Sequence, residues 1–583
     1  MKRIFKFLGS YKLESITGPL LKLIEATLEL TVPLIIAKII DVGIANSDKD
    51  YTVRMSLLLV LLGAIGLVCA VAAQYFAAKA SVGVSTRMRG LLFARMQSFS
   101  YADIDTLGTS TMITRITSDI DKVQSGLNLG LRLLLRSPFV VFGAMIMAFT
   151  IDVPAALTFA AVIPALSIVV YGIMLISVPL HKKVQSGLDS VLHKTRESQS
   201  GARVVRAFSK EDEDIEKFNA ECERLMHSQT TVGGISALLN PLTYVLINLA
   251  IVWLIHIGAV RVDSGMLTQG EVVALYNYMS QILIELIKLA NLIVSITKAI
   301  ASSGRVCAII DMPSTQSFGD KNELPCESDT VIEFCDVAFK YARGSTEAVE
   351  GISFTARRGE KIGIIGGTGS GKSTLINMIP RYYDATGGKV LICGTPVAEY
   401  TKDALRKSVG IVPQRAVLFS GTVRENMLMG NPEATDDQIN DALKAAQIFD
   451  TVAEKGGLDA RVSEGGKNFS GGQRQRLTVA RALVKKPKIL ILDDAASALD
   501  FATEANMRRD ISDYCQDTTT VTVSQRTSSV MGCDKILVLE DGELVGLGTH
   551  SELMDSCEIY REIHLSQFGN SDGQEESGGG TKK

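Results

Sequence analysis

The chain predicts a multidomain membrane protein, with an all-α domain of six long transmembrane helices ahead of an α/β domain. Three observations carry that expectation. Six apolar stretches long enough to cross a bilayer precede residue 301, near 15–45, 54–84, 125–151, 154–180, 232–262 and 270–300. Hydrophobic residues make up 46% of the chain and mean hydropathy is +0.22, high for a soluble enzyme, and the excess sits in the first half. From residue 361 an apolar strand, a glycine-rich loop and a helix follow one another, which marks a different, α/β domain.

In chain order, residues 1–14 read as an interfacial elbow helix. Met1 to Lys12 is short, basic and amphipathic through Phe5, Phe7 and Leu8, and no small-residue cleavage site follows it. Residues 15–300 form the membrane domain. Several of its apolar stretches exceed the roughly 20 residues a membrane needs, so the helices are expected to continue beyond it. Connections on one side are short, down to Ile151-Asp152-Val153 between the third and fourth spans. Those on the other side, 85–124 and 181–231, are long and rich in Arg and Lys, including Arg87, Arg89, Arg115, Lys182, Arg203 and Arg206. The positive-inside rule puts the long side, and both termini, in the cytosol. Each long connection is helical with a break, at Phe99 to Gly108 and at Glu197 to Ala202, suited to a short transverse helix that docks on another domain.

Ionisable and polar residues interrupt the spans at Glu25, Glu29, Arg132, Arg136, Asn248, His256, Glu285 and Lys288. Such groups are costly in hydrocarbon and face a cavity or a partner. Glu285 and Lys288, three apart on one helix face, are expected to neutralise each other. The sharper alternative gives Glu29, Arg136, Glu285 and Lys288 a place in a substrate cavity, beside aromatic surface from Tyr244, Trp253, Tyr276 and Tyr278. Residues 301–330 read as a polar linker, 331–568 as the globular domain, and 569–583 as a disordered Gly/Ser/Glu/Lys tail. Nine scattered cysteines contain no C-x-x-C pair, which predicts reduced thiols and neither a metal site nor a disulfide framework. A net charge of -3 gives no basic surface for nucleic acid.

The chemistry is concentrated at Gly366-Gly367-Thr368-Gly369-Ser370-Gly371-Lys372-Ser373-Thr374, a G-x4-G-K-[ST] loop between strand and helix. Its glycines let backbone N–H groups turn toward phosphate oxygens, and the following helix N-terminus adds partial positive charge. Lys372 is placed to reach β/γ-phosphates and Ser373 to ligate Mg²⁺. Tyr341, upstream, can stack on a purine. Gln414 follows a strand and can bind Mg²⁺ or the attacking water. Ser463-Glu464-Gly465-Gly466 precedes Ser470-Gly471-Gly472-Gln473, which opens a helix and offers a second anion site. Ile489-Leu490-Ile491-Leu492-Asp493 is a buried strand ending in a Mg²⁺-holding carboxylate, the Walker B pattern. Asp494, then Ser497-Ala498-Leu499-Asp500, and finally Ser524-Gln525-Arg526 after another strand complete the set.

This order of motifs resembles the ATP-binding cassette (ABC) superfamily, and the Ser-Gly-Gly-Gln signature between the glutamine loop and Walker B separates it from other P-loop ATPases. Six spans fused ahead of one cassette resemble a half-transporter of the type IV exporter class. The resemblance runs from the elbow to about residue 568. It implies an α/β P-loop ABC nucleotide-binding domain, ATP and Mg²⁺ as cofactors, and two half-transporters whose cassettes close head to tail on two ATP molecules. Each ATP then lies between the P-loop, Gly367 to Thr374, of one chain and the signature of the other, with Tyr341 and Asp500 also among the nucleotide-binding residues and Asp493 on the metal. It also implies an integral protein of a bacterial plasma membrane, with lipid around it; the apolar and aromatic surface of the spans, with its few charges, suits a small amphipathic drug, lipid or peptide equally as substrate.

Two positions depart from that pattern. The residue after the Walker B Asp is usually Glu, the general base or water positioner, and here it is Asp494. The switch His that contacts the γ-phosphate is here Gln525. Asp is one methylene shorter, so its carboxylate falls short by more than ~1 Å, and a misplacement of that order costs ~10²-fold in rate. Gln can donate to phosphate but cannot become cationic. Both changes in one site predict ATP binding with slow hydrolysis, and hence a heterodimer whose partner carries Glu and His. A regulatory subunit that gates a complex without pumping, and an importer on the same fold, are the alternatives. The spans exclude a soluble nucleic-acid ATPase, and the absence of a charged ring or filter pattern disfavours a channel.

Overall fold

The computed structural model describes residues 6–324, 328–342, 344 and 346–568. The tail expected to be disordered, 569–583, and the first five residues of the elbow lie outside the described residues. The chain divides into two compact units, Met1–Gln97 with Ser110–Met312, and Ser98–Thr109 with Pro313–Lys583.

The first unit is all helical. Among the described residues five helices are long and apolar enough to cross a membrane: Lys49–Ser98, Thr109–Ile151, Val153–Ser200, Glu211–Asp263 and Gln269–Asp311. The first expected span forms as the helix Lys12–Lys38, continued by a π turn over Ile39–Ile44. It does not join the five because Lys22, Glu25 and Glu29 all fall in its centre, so among the described residues apolarity supports five of the six expected spans. Its charges are paired instead. Lys22 Nζ lies 2.5 Å from Glu25, and Glu29 accepts from Arg136 at 2.6 Å.

The Glu285–Lys288 pair expected from spacing is present, at 2.9 Å, but it is only the end of a longer chain. Arg136 Nη1 also donates to Glu285 at 2.6 Å, and Ser137 Oγ donates to its other oxygen at 2.8 Å. Three helices are thereby tied through Glu29, Arg136 and Glu285. Gly126 lets Ile120–Leu133 approach Gln269–Asp311 closely, since a Cβ there would sit 2.3 Å from the Ala299 methyl. Tyr278 belongs to this core and not to a substrate surface. It is fully buried and donates to the Leu30 carbonyl at 2.6 Å, whereas Tyr244, Trp253 and Tyr276 remain exposed. The three-residue connection works as a cap: Asp152 accepts from Ala155 N–H at 3.1 Å and pairs with Arg261 at 2.6 Å. In contrast, the apolar stretch of Lys49–Ser98 is not buried by any of the described residues, with Leu57, Leu61, Leu67 and Val68 all exposed.

Residues 301–311, read from the sequence as linker, continue the helix Gln269–Asp311. Their polar residues misled the reading because they serve a buried hub. Ser302 Oγ and Arg305 Nε each donate to Asp119 at 3.0 Å. The cysteine expectation also needs one correction. Seven described cysteines are free, but Cys393 is disulfide-bonded, because sequence spacing does not register which loops meet in space.

The second unit is built on a six-stranded sheet in the order Glu543–Gly548, Lys535–Glu540, Lys361–Gly366, Thr519–Val523, Ile489–Asp493, Val409–Val412. The last five are parallel and the first is antiparallel to its neighbour. The central strands are apolar nearly throughout, as strands covered on both faces must be: Ile362, Ile364, Ile489 to Ile491, Val521 and Val523 are buried. A second, antiparallel sheet runs Val349–Arg357, Thr330–Phe339, Gly387–Ile392, Thr395–Pro396. The segment 98–109 belongs to this unit, and the expected transverse helix forms there as Tyr101–Leu107, held by a capping box between Ser100 and Asp103.

One half-buried lysine sets a pH dependence. Lys485 Nζ donates to the Val409 carbonyl at 2.9 Å, and burial, aided by Arg406, pushes its pKa down to about 8. Below pH 8 the folded cassette carries this poorly solvated charge and is destabilised relative to the unfolded chain. The penalty is relieved as pH rises from about 8 toward the unfolded value near 10.4. Lys485→Met should therefore raise stability by about 2 kcal/mol at pH 7, and the gain should vanish by roughly pH 10. Paired thermal unfolding curves of the two proteins across that range measure it, and a pH-independent difference contradicts it.

Candidate functional site

Four adjacent parallel strands deliver the site. Gly366, Val412, Asp493 and Val523 are their carboxyl ends, and the glycine loop, Gln414, Asp494 and Gln525 follow within two residues of them. Open α/β sheets bind ligands at this edge because the loops there converge.

The loop itself depends on its glycines. Gly371 has φ +89°, and a Cβ on it would lie 2.5 Å from the Ala348 carbonyl, so only glycine can turn the chain into the helix Lys372–Met378. Gly369 has φ +90°, a left-handed conformation that favours glycine, with open space where a Cβ would sit. Lys372 Nζ curls over the loop and donates to Gly366 O at 2.9 Å, to Gly367 O, and to Ser370 Oγ at 3.3 Å. Ser373 Oγ donates to the Asp493 carboxylate at 3.1 Å. Tyr341 and Thr374 share a hydrogen bond at 3.0 Å between their hydroxyls.

A cleft of ≈ 280 Å³ is lined by Tyr341, Thr368, Gly369, Gly371, Lys372, Ser373, Thr374, Gln414, Asp493, Asp494 and Gln525. Gly367 and Ser370 stand behind that lining and hold Lys372. Gln414 Nε2 and Asp494 Oδ2 are 3.5 Å apart across the cleft. Asp494 adopts φ +48°, tolerable for Asp, with its N–H on the Val523 carbonyl at 2.9 Å.

The signature is elsewhere. Ser470 caps the helix Gly471–Val484 in a capping box with Gln473, and Gly472 packs against Ala498 and Leu499. Asp500 caps Phe501–Tyr514, accepting from Thr503 N–H at 3.0 Å. None of Ser470, Gly471, Gly472, Gln473 and Asp500 lines the cleft. Two contributors escaped sequence reasoning. Glu504, buried, accepts from Ser529 Oγ at 2.5 Å and Arg508 at 2.7 Å. Gln567 donates to the Gln525 carbonyl at 2.7 Å and accepts from Thr527 N–H at 2.8 Å. Both fix the segment that carries Gln525, through contacts between residues far apart in sequence.

Burial lowers the pKa of Lys372 and raises that of Asp493, the latter helped by its neighbour Asp494. Both charges are thus under-compensated in the protein alone. A phosphate would supply the missing counter-charge to Lys372, and a divalent cation would supply it to Asp493 and Ser373. Among the described residues no group of three or more His, Cys, Asp or Glu could hold a metal ion alone. A site whose cation shares its shell with phosphate oxygens fits that donor set.

Comparison with known proteins agrees with this geometry. A family model described as the ABC transporter transmembrane region matches residues 15–286, and one described as ABC transporter matches 349–497. The chain is 35% identical over 573 residues to the "Uncharacterized ABC transporter ATP-binding protein YfiB" of Bacillus subtilis, covering 98% of this chain and 99% of that one. It is 30% identical over 580 residues to the "Putative multidrug export ATP-binding/permease protein YgaD" of the same organism, covering 97% and 99%. Its fold is similar to a solved bacterial Atm1-family ABC exporter with ATP bound, at a TM-score of 0.79 and 24% identity over 96% of this chain and 99% of that one. A membrane-spanning helical region and an ATP-binding cassette on one polypeptide, matched over nearly their whole length, place this chain in the ABC transporter family.

Proposed function

We propose that the chain is one subunit of a heterodimeric, ATP-driven exporter in a bacterial plasma membrane, with its termini and cassette in the cytosol. The observation that carries this reading is the composition of the cleft. It gathers a complete set of nucleotide-holding groups, Lys372, Ser373, Gln414 and Asp493, around a shortened carboxylate, Asp494, and a switch position occupied by Gln525. Bound Mg-ATP supplies the closing energy and the cleavable phosphoanhydride. Lys372 neutralises phosphate charge, Ser373 and Asp493 hold the cation, and Tyr341 receives the purine. Gln414 and Asp494 face the position of an attacking water, with Asp494 too short to hold it well.

The signature and Asp500 lie apart from this cleft, which supports their serving a second cassette. The partner we infer is a homologous half-transporter with Glu after its Walker B Asp and His at the switch. Lys12–Lys38 acts as a sixth span, its charges being paired within the bundle. The unpartnered apolar face of Lys49–Ser98 suits lipid or the second subunit. Exposed Tyr244, Trp253 and Tyr276, with the half-exposed Glu29 and Lys288, suit an amphipathic drug, lipid or peptide, and the multidrug-export name of one relative points the same way.

Affinity purification of the full chain from its native membrane in mild detergent should recover that partner. In the pair, Asp494→Asn should change ATP-dependent flux into inverted vesicles little. Replacing the partner's Glu should cost ~10²-fold or more, the range for loss of a general base. Equal losses would overturn the asymmetry, and a fully active homodimer would overturn the heterodimer.

A further inference from the structure

Tyr341 lines two cavities. One is the nucleotide cleft. The other, ≈ 420 Å³, is lined by Ser100, Asp105, Thr106, Phe339 and Tyr383 among others. All of these residues belong to the second unit, which includes the segment 98–109.

The Tyr341 ring is held edge-on by two others, Phe339 at 4.8 Å and 88°, and Tyr383 at 5.5 Å and 80°. Its hydroxyl is engaged by Thr374 at 3.0 Å. Tyr383 in turn lies 6.1 Å from Tyr101, and its hydroxyl donates to Asp105 Oδ2 at 2.7 Å. Tyr101 stacks on Tyr382 at 4.4 Å and 20°. Aromatic contacts therefore run without a gap from the residue placed to receive the purine to the short helix Tyr101–Leu107. They end in a hydrogen bond to a carboxylate, the stronger kind. Burial and the Asp105 charge both raise the Tyr383 pKa, so the phenol stays a donor.

We propose that Tyr383 is a positioning residue that transmits purine stacking on Tyr341 to the helix Tyr101–Leu107, through its ring on one side and its hydroxyl on Asp105 on the other. The base must take up the exposed face of Tyr341, and that ring is in contact with Tyr383, so the two cannot adjust independently. By linkage, ordering of the helix and affinity for the base rise together. The inference rests on the reading that Tyr341 takes the purine.

Hydrogen exchange of the full chain in lipid nanodiscs tests it, with ATP and base-free tripolyphosphate as ligands. In the unmodified protein both ligands should protect 366–374, and only ATP should slow exchange in 98–109. In Tyr383→Phe, which keeps the ring, ATP should still protect 366–374, but its slowing of 98–109 should fall about tenfold, the worth of one hydrogen bond to a charged group. Asp105→Ala, at an exposed position outside the cap of its helix, approaches the same bond from the other end. It should give the same loss, and the double variant no more. If ATP and tripolyphosphate bind with equal affinity, the purine reading of Tyr341 fails. If ATP binds more tightly yet protection of 98–109 is unchanged in both variants, or is matched by tripolyphosphate, the transmission through Tyr383 fails.

Discussion

Asp494→Glu combined with Gln525→His should raise ATP hydrolysis at this chain's own P-loop by about 10²-fold, the factor expected from correcting a ~1 Å misplacement at a reacting centre. The backbone is already set for both changes. Asp494 N–H is fixed to the Val523 carbonyl, and the Gln525 carbonyl is held by Gln567, so new side chains start from defined positions. The Glu adds the missing methylene toward the Gln414 amide, which the Asp carboxylate reaches only at 3.5 Å. The His adds a ring that can carry positive charge near neutral pH. Phosphate release is to be measured in the assembled transporter in nanodiscs, with the partner's catalytic Glu changed to Gln so that only this site is read. Lys372→Ala in the same background should return the rate to baseline. A double variant no faster than the starting protein would mean that Asp494 and Gln525 are not what slows the site.

The parts of the site legible in the sequence are those written by consecutive residues. The glycine loop declares itself because strand, turn and helix N-terminus must follow one another within fourteen residues, Lys361 to Thr374. Asp493 declares itself as the carboxylate that ends an otherwise apolar strand. Their convergence was not legible, because it follows from a strand order in which Thr519–Val523 sits between Lys361–Gly366 and Ile489–Asp493. Long-range contacts were equally hidden. Asp105 and Tyr383 are 278 positions apart, and Gln525 and Gln567 are 42 apart. In the membrane domain polarity misled in both directions. Ser302 and Arg305 resemble linker residues but serve the buried Asp119. Tyr278 resembles a ligand-facing aromatic but spends its hydroxyl on the Leu30 carbonyl inside the core.

Arg136→Met should destabilise the membrane domain by about 3–5 kcal/mol, the cost of leaving a buried charge without its partner. Both Arg136 and Glu285 are nearly fully buried, with side-chain exposures of 8% and 4%. Glu285 would keep Ser137 and Lys288, but Lys288 is 44% exposed and spans only one helical turn, so it cannot replace a guanidinium shared between three helices. Glu29, 42% exposed, is a different case. Water in the cavity it faces can solvate it, so Glu29→Gln should cost no more than about 1 kcal/mol. The pairing itself is then separable from the polarity of the site by Arg136→Met with Glu285→Met. Removing both charges eliminates the uncompensated carboxylate, so the double variant should recover most of the stability lost by either single change. Thermal unfolding of the four proteins in nanodiscs measures the cycle. A double variant as unstable as the sum of the singles would mean that each residue is held by contacts of its own, and that the charge pair does not tie the helices together.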